Sequence, residues 1–438
     1  MSNYNDFDLP DPFDDAIETS DEDLDLSLDL ESDSETTDIS YDDLELNESD
    51  SDREQKINEA VENRKNNIGQ DVNLNPVVDI NQESDTDPEN KEDILVGPDG
   101  DPVKAAIDAY NTFDQIAWNK KSGYQLPHFP FMQKKLEGLD EGLYLFAAES
   151  NAGKTALMTN VLYDACTCKE NHLVGLYFSL DDSKQLVIPR VISMVQNIPI
   201  SASAKPYTYQ ELYDKANDSD PKKNQYKDYL DKREAGLKKL INNANCFQIK
   251  DNNDGITSAE DIYKCIQSMV TYVKAMYGDD YNLIVAIDAL DDLRFKNERF
   301  QSDTDRHKLI AKTCKDWATE FHIPVFGSRH LNKIRMDRKP CLDDLKDTSE
   351  YVYEATLVFL LYNEVGKKGQ SANVCYTRAD QQNLPENQRE KQPVIEIAWA
   401  KNKASSYKGK SYCYFFPEFS KMIEVSEQDK AKYDAISY

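Results

Sequence analysis

The chain has 438 residues, with 81 acidic and 51 basic side chains and a net charge of -30. About 33 of the acids but about 5 of the bases lie in the first 100 residues, so the rest is nearly neutral and the pI of 4.6 does not exclude a nucleic-acid partner. Because no run of about 18 apolar residues occurs and the N-terminus is acidic where a signal peptide would be basic and then apolar, we expect a soluble cytoplasmic protein.

Residues 1 to 98 predict a disordered acidic tail. They contain no Lys or Arg before Arg53 and are rich in Asp, Glu, Ser and Asn. Such a segment buries too little apolar surface to offset the entropy lost on ordering. The tail includes a short pattern in which Leu24, Leu26, Leu28 and Leu30 alternate with acidic or polar residues.

Residues 99 to 122 predict a linker helix. Asp101-Pro102 has the form of an N-cap and first helical position, and Val103, Ile107 and Tyr110 follow at helical spacing. A loop rich in Gly, Pro and Phe is expected next, from Gly123 to Phe131.

The stretch from Leu143 to Leu157 predicts a phosphate-binding loop between a strand and a helix. In such a loop the backbone N–H groups cradle a polyphosphate, Lys154 neutralises the β- and γ-phosphates, and the Thr155 hydroxyl ligates Mg²⁺. Ala148 stands where the usual pattern has Gly, and the alternative is an ordinary helix start with a surface lysine. The predicted nucleotide-binding residues are Ala148, Glu149, Ser150, Asn151, Ala152, Gly153, Lys154, Thr155 and Ala156.

Beyond this loop, apolar runs alternate with amphipathic segments, which predicts further strand and helix pairs. Strands are expected at Leu173 to Leu180, which is followed by Asp181-Asp182-Ser183, and at Cys246 to Lys250. Between them, residues 205 to 243 predict a charged helical excursion on the surface. The eight cysteines have no zinc spacing, so we expect no structural metal.

The apolar run from Leu283 to Asp288 predicts a second acidic strand end. In that pattern the carboxylate holds Mg²⁺ through water, on the strand beside the phosphate-binding loop. The alternative is an ordinary buried strand that ends in Asp. A later strand, His322 to Ser328, leads into Arg329-His330, and His330 is either a surface residue or a γ-phosphate sensor at the sheet edge where ligands collect.

Three further strands are expected in the C-terminal part, at Ala355 to Tyr362, Val394 to Ala400 and Tyr412 to Phe416. A long polar loop separates the first two. Strands that alternate with helices are typical of an α/β fold, here with a mainly parallel sheet and a few antiparallel strands at its end.

The order of these motifs resembles the RecA-like ATPase domain of DnaB-type replicative helicases, including members encoded by phages. The resemblance covers about Gly123 to Glu424 and implies a RecA-like P-loop domain over residues 123 to 438. The stretches that carry it are Ala147 to Ala156, Phe178 to Asp181, Ile284 to Asp291, Ile323 to Val325 with His330 to Asn332, Asp344 to Asp347 ahead of Ala355, and Ala400 to Lys403.

The resemblance implies ATP and Mg²⁺ as cofactors and a role for each matching residue. Lys154 and Thr155 would bind the phosphates and the metal ion, and Asp288 would hold the metal ion. Asp181 would polarise the attacking water, and His330 would sense the γ-phosphate.

The resemblance also implies a homohexameric helicase that moves 5′ to 3′ on single-stranded DNA in a bacterial or phage-infected host cytoplasm. Lys401 and Lys403 would act as basic fingers in the neighbouring subunit's site, and the linker helix would pack on the adjacent protomer. A primase, a helicase loader or a single-strand-binding protein is a possible partner of the acidic tail. The residues expected to contact DNA are Arg294, Lys296, Arg299, Lys333, Arg335, Arg338, Lys339 and Lys346.

Three features depart from the family pattern. The catalytic acid is usually Glu, and Asp181 is shorter by about 1.5 Å, so the water sits closer, Asp182 assists, or hydrolysis is slow. The finger position normally carries Arg, and Lys403 lacks its planar fork. The acidic tail stands in place of an N-terminal helical domain.

These departures leave alternatives open. The tail is an inert solubilising segment, a docking motif for a basic groove, or an intramolecular decoy for the DNA-binding surface. The alternative functions are a RecA-like recombinase or other DNA-dependent ATPase, and a weakly active binding or virion-associated protein on the same fold.

Overall fold

A computed structural model describes residues 102–119, 123–296, 298–332, 338–345 and 349–436 of the chain. The predicted tail of residues 1 to 98 lies outside these ranges, as do Lys333, Arg335 and Lys346. Helix α1 (Pro102–Asn119) falls within the predicted linker region. Its Val103, Ile107 and Tyr110 side chains are exposed.

Within the described ranges the strands form one ten-stranded mixed sheet, which confirms the predicted fold class. The spatial order is β10-β9-β8-β6-β1-β5-β4-β2-β3, with β7 paired to β8. Strands β6, β1, β5, β4, β2 and β3 run parallel, and the remaining pairs are antiparallel. The strands are β1 Gly142–Ala148, β2 Leu173–Ser179, β3 Phe247–Lys250, β4 Asn282–Asp288, β5 Pro324–His330, β6 Leu357–Asn363, β7 Cys375–Thr377, β8 Lys391–Asn402, β9 Lys410–Phe416 and β10 Lys421–Glu424.

Helices cover both faces of the sheet, and every residue of its central strands β1 and β2 is buried. The helices after α1 are α2 Pro130–Leu136, α3 Lys154–Thr167, α4 Lys184–Gln196, α5 Ile200–Ala204, α6 Pro206–Lys215, α7 Pro221–Asn242, α8 Ala259–Tyr277, α9 Asp303–Phe321, α10 Glu350–Glu354, α11 Glu364–Lys368 and α12 Glu427–Ile436. Tyr144 and Phe146 of β1 pack on one face with α3, whereas Leu143 and Leu145 pack on the other with α8 and α9.

The charged segment 205 to 243 forms α6 and α7, and most of its side chains are at least partly exposed. Asp220 caps α7 by accepting the Lys222 backbone N–H at 2.9 Å. Gly236 of α7 packs closely on α4, since a Cβ there would lie 2.7 Å from the Gln196 Cγ atom. The excursion is therefore attached to the core through α4.

Several short elements were not predicted. The predicted loop from Gly123 to Phe131 ends in α2, whose first N–H groups, on Phe131 and Met132, are bound by the distant Glu424 carboxylate at 2.6 and 3.1 Å. The predicted long polar loop contains β7, and β10 and α12 follow the last predicted strand. These elements are short, so their sequences contain few positions from which a period can be recognised. Among the described helices, none is long and apolar enough to cross a bilayer.

Candidate functional site

Four neighbouring parallel strands deliver the predicted site residues to one edge of the sheet. Ala148 at the end of β1 pairs in register with His330 at the end of β5. Asp288 at the end of β4 pairs with Ser179 at the end of β2, two residues before Asp181. Because parallel strands share one carboxyl edge, register alone brings the phosphate-binding loop, the imidazole and both carboxylates together.

The loop between β1 and α3 has the backbone that an anion site needs. Asn151 and Gly153 adopt left-handed conformations, with φ angles of 61° and 93°. Gly153 also lies under Met422, because a Cβ there would be 2.7 Å from the Met422 Cε atom. Among the described residues no side chain caps the amino end of α3, so its first N–H groups face the loop without a side-chain acceptor.

Lys154 is the buried cation of this edge. Its side chain is 8 % exposed, and its Nζ atom lies 3.3 Å from the His330 Nδ1 atom. Burial lowers the pKa of Lys154, while the carboxylates of Asp288, Asp291 and Asp181 act in the opposite direction. The ammonium group therefore points into a space lined by acids and is placed to meet an added polyanion.

Asp288 is fixed by two hydroxyl groups. Its Oδ2 atom accepts from the Tyr177 hydroxyl at 2.6 Å, and its Oδ1 atom accepts from the Ser328 hydroxyl. The side chain is 9 % exposed. The Asp288 carbonyl accepts the backbone N–H groups of Leu180 and Asp181 at 2.7 and 3.3 Å, which holds the end of β2 against the end of β4.

The donor set fits a magnesium ion held mainly by phosphates and water. Thr155 and Asp288 offer a hydroxyl and a carboxylate, which are oxygen ligands of the kind that Mg²⁺ prefers. In the part of the chain that the structure describes, no group of three or more His, Cys, Asp or Glu side chains could hold a metal ion. One or two protein oxygens are the normal share of a magnesium ion bound with a nucleotide.

Asp181 and Asp182 have different surroundings. Asp181 is exposed and lies close enough to Lys154 to influence its pKa. Asp182 forms an ion pair with Arg190 of α4 at 2.6 Å. Of the two carboxylates, Asp182 is thus committed to a salt bridge, and Asp181 is the one that faces the lysine.

A cavity of about 360 Å³ lies beside the phosphate-binding loop, on the β6 side. Glu149 of the loop forms an ion pair there with Lys367 of α11, and the Lys367 Nζ atom lies 5.8 Å from the centre of the Tyr362 ring. Sequence reasoning missed Lys367 because the five-residue α11 has no periodicity to read. The cavity is lined by Glu149, Ser150, Asn151, Ala152, Leu331, Leu361, Tyr362, Asn363, Gly366 and Lys367.

The structure does not bring Lys401 and Lys403 to this edge. The Lys403 N–H donates to the Thr356 carbonyl at 2.9 Å, and the Thr356 N–H donates to the Leu143 carbonyl at 2.8 Å. Lys403 is therefore level with the beginning of β1, five residues before Ala148, or roughly 16 Å along the strand. Lys401 lies at the same end of β8 and pairs with the start of β6.

Both lysine side chains rest on carbonyl groups of α10. The Nζ atoms of Lys401 and Lys403 donate to the Tyr353 carbonyl at 2.9 and 2.8 Å, and Lys401 also donates to the Val352 carbonyl. Partial burial and the adjacent Lys403 ammonium lower the pKa of Lys401 to about 8. Two cations are thus held side by side at the end of the sheet away from the phosphate-binding loop.

The predicted DNA-binding cations fall into two groups within the described residues. Arg294 and Arg299 are exposed on the segment after β4. By contrast, Lys296, Arg338 and Lys339 form ion pairs with Asp261, Asp344 and Glu396, respectively. The structure leaves the DNA assignments as predictions.

Other residues of the site carried no signal of their own in the sequence. Tyr177 and Ser328 orient Asp288, and Arg329 and Asp291 lie next to His330. The alternation of side chains along a strand places Ser328 on the face of His330 and Arg329 on the other. Which of these pairs touch depends on strand order, which the sequence does not state.

Most of the chain is similar to known proteins. The family model described as the DnaB-like helicase C-terminal domain matches residues 127–423. The replicative DNA helicase DnaB of Mycoplasma pneumoniae is 25 % identical over 252 residues, which are 55 % of this chain and 46 % of the relative. The chain thus spans about half the length of that curated relative.

Two solved structures are similar in fold. One, a structure of an ATPase domain, has a TM-score of 0.55 and 18 % identity, over 75 % of this chain and 99 % of that one. A DnaB-like replicative helicase, solved in a study of its interactions with primase, has a TM-score of 0.54 and 18 % identity, over 74 % of this chain and 72 % of that one.

Proposed function

The chain belongs to the family of DnaB-like helicase C-terminal domains, and from this premise we propose that it is an ATP-driven replicative helicase. In this proposal the chain forms a homohexameric ring, moves 5′ to 3′ on single-stranded DNA in the cytoplasm, and unwinds duplex DNA. The observation that carries the proposal is the convergence of Lys154, His330, Asp288 and Asp181 at the ends of four adjacent strands.

Each residue at this edge has a task in hydrolysis. The first N–H groups of α3 and the Lys154 ammonium bind the phosphates and offset their charge. Asp181 orients and polarises the attacking water, and His330 contacts the γ-phosphate. Mg²⁺, held by Thr155 and through water by Asp288, would neutralise charge on the phosphate oxygens.

Lys401 of β8 and Lys403, which follows β8, complete the site of the adjacent subunit. Lys401 and Lys403 lie too far along the sheet to serve the phosphate-binding loop of their own chain. A ring brings one protomer's surface against its neighbour's ATP edge, and a cation supplied in trans stabilises charge that develops during transfer. Hydrolysis would then depend on how adjacent subunits are arranged.

DNA would bind through cations that contact phosphates and read no sequence. Arg294 and Arg299 are exposed, which supports their role, and Lys296, Arg338 and Lys339 would have to exchange carboxylate partners for phosphates. We retain the division into an acidic tail (1 to 98), a linker helix (99 to 122) and the ATPase domain (123 to 438), with the tail as the binding arm for primase, a loader or a single-strand-binding protein.

Unwinding of tailed duplexes tests this function. The full chain is mixed with ATP, Mg²⁺ and a duplex bearing a single-stranded 5′ or 3′ tail, and particles are viewed by negative-stain microscopy. We expect strand separation with the 5′ tail and closed six-fold rings. Open filaments without unwinding would favour a recombinase and contradict the proposal.

A further inference from the structure

One arginine lies buried directly behind the nucleotide edge. Arg329 is 0 % exposed and precedes His330 in β5. Since side chains alternate along a strand, it points to the opposite face of the sheet, toward α9 and α10. A buried guanidinium group is costly unless charge and hydrogen bonds compensate it, so its partners indicate what it does.

The partners of Arg329 form a compact set. Its Nη1 atom donates to the Asp291 Oδ1 atom at 2.6 Å and to the His307 Nδ1 atom at 2.9 Å. The guanidinium carbon lies 4.4 Å from the centre of the Tyr351 ring, and the Tyr351 hydroxyl lies 3.1 Å from His307 Nδ1. The guanidinium group is held in one orientation, because it packs on the Tyr351 ring and one of its nitrogens bonds to Asp291 and His307.

Asp291 connects Arg329 to the backbone of His330 at the nucleotide edge. Its second oxygen, Oδ2, accepts the backbone N–H of His330 at 3.0 Å. The Asp291 carbonyl is held in turn by the Arg306 guanidinium at 2.8 Å. The carboxylate is thus clamped between Arg329 and the main chain of His330, whose imidazole lies 3.3 Å from the Lys154 ammonium.

We propose that Arg329 and Asp291 are positioning residues that fix the end of β5, so that the His330 imidazole meets the γ-phosphate at a set place. This inference rests on the proposed ATPase function. Neither residue touches the nucleotide. The pair acts on the one group that distinguishes ATP from ADP, so its loss changes the preference between the two nucleotides more than the affinity for ADP.

The test measures the affinity of the full chain, with Mg²⁺, for ADP and for a non-hydrolysable ATP analogue. The variants are Arg329→Lys, which keeps the charge but loses the planar group that packs on the Tyr351 ring, His330→Ala, and the two combined. Arg378→Lys is the matched control, since Arg378 pairs with Glu418 at 3.3 Å outside the site.

We expect Arg329→Lys to bind ADP with an affinity within about twofold of that of the unaltered chain. Its preference for the analogue over ADP should fall about five- to tenfold. His330→Ala should lose a similar factor, and the double variant should lose no more, because both changes remove one contact. The control should keep the preference. Multiplied losses in the double variant, or equal weakening of both nucleotides in Arg329→Lys, would overturn the inference.

If Arg329→Lys does not fold, Tyr351→Phe gives the answer, because it keeps the ring and removes only the hydroxyl near His307 and Arg329. If Tyr351→Phe unfolds at the same temperature as the unaltered chain, a partial loss of its preference for the analogue supports the inference. An unchanged preference contradicts it. An unaltered chain that neither hydrolyses ATP nor prefers the analogue would instead sink the proposed function. Hydrolysis by the unaltered chain, with Arg329→Lys behaving like it, would sink this inference alone.

Discussion

The two ends of the parallel strands hold their charged groups in different ways. At the carboxyl end, Lys154, Asp288 and His330 are fixed by strand register and by partners from neighbouring strands. At the amino end, Lys401 and Lys403 rest on carbonyl groups of the five-residue α10. The first set is a site assembled within one chain, and the second is a pair of cations displayed at its edge.

This difference separates what one subunit can do from what it needs a neighbour to do. A buried lysine facing carboxylates is ready for a polyphosphate, since its charge is poorly solvated before the ligand arrives. Cations bound by main-chain carbonyls can exchange those partners for a stronger acceptor, such as a phosphate. We therefore expect changes at the carboxyl end to stop hydrolysis and changes at the amino end to remove its stimulation.

Lys154→Ala should have the largest effect. It removes the buried ammonium that offsets the phosphate charge, and loss of one such group lowers turnover by at least about a hundredfold. The measurement is steady-state ATP hydrolysis with Mg²⁺. Lys184→Ala is the matched control, because Lys184 pairs with Asp254 and has no role in the site. Full activity in Lys154→Ala would refute the phosphate-binding loop.

Lys403→Ala should act on stimulation rather than on binding. We expect DNA-stimulated hydrolysis to fall by roughly a hundredfold, since a cation supplied in trans is worth this much or more to phosphoryl transfer. Nucleotide affinity should stay within about threefold of the unaltered chain. Lys408→Ala, an exposed lysine between β8 and β9, serves as the control. Equal loss of binding and turnover would contradict a trans role.

A pH series should show a smaller effect, which arises from the charge of Lys401 at the amino end of the sheet. The pKa of Lys401 is lowered to about 8, so this side chain is charged below pH 8 and loses its charge as the pH rises through that value. At one unit above the pKa, about a tenth of the side chains stay charged. DNA-stimulated hydrolysis should therefore decline between about pH 7.5 and pH 9, a range that brackets the pKa of Lys401. Lys401→Arg should flatten the decline, and an unchanged profile in that variant would exclude Lys401 as its cause.

Local patterns in the sequence predicted most of the residues at the nucleotide edge. The apolar runs before Ala148 and up to Asp288 predicted two strand ends, and the chemistry of the residues that follow indicated a phosphate and metal site. Register in the folded sheet then put His330 opposite Ala148 and Ser179 opposite Asp288. Because the carboxyl ends of parallel strands share one edge of the sheet, the prediction of a parallel sheet was enough to predict that these residues lie together.

The parts that sequence reasoning missed depend on contacts between distant residues. Glu424 binds the first N–H groups of α2 across nearly 300 positions, and burial raises its pKa to about 8. In the sequence Arg329 is a polar residue near a predicted strand end. In the fold it is buried, and its partners Asp291, His307 and Tyr351 come from three other segments. A single sequence without its fold gives no means of pairing these residues.

We propose that one subunit holds an ATP site whose turnover depends on DNA and on a neighbour. The first experiment is steady-state ATP hydrolysis by the full chain with Mg²⁺, measured with and without single-stranded DNA. We expect slow hydrolysis without DNA and strong stimulation by DNA. Absence of turnover under both conditions would contradict it and would favour a binding protein on the same fold, with Asp181 and Lys403 unable to support catalysis.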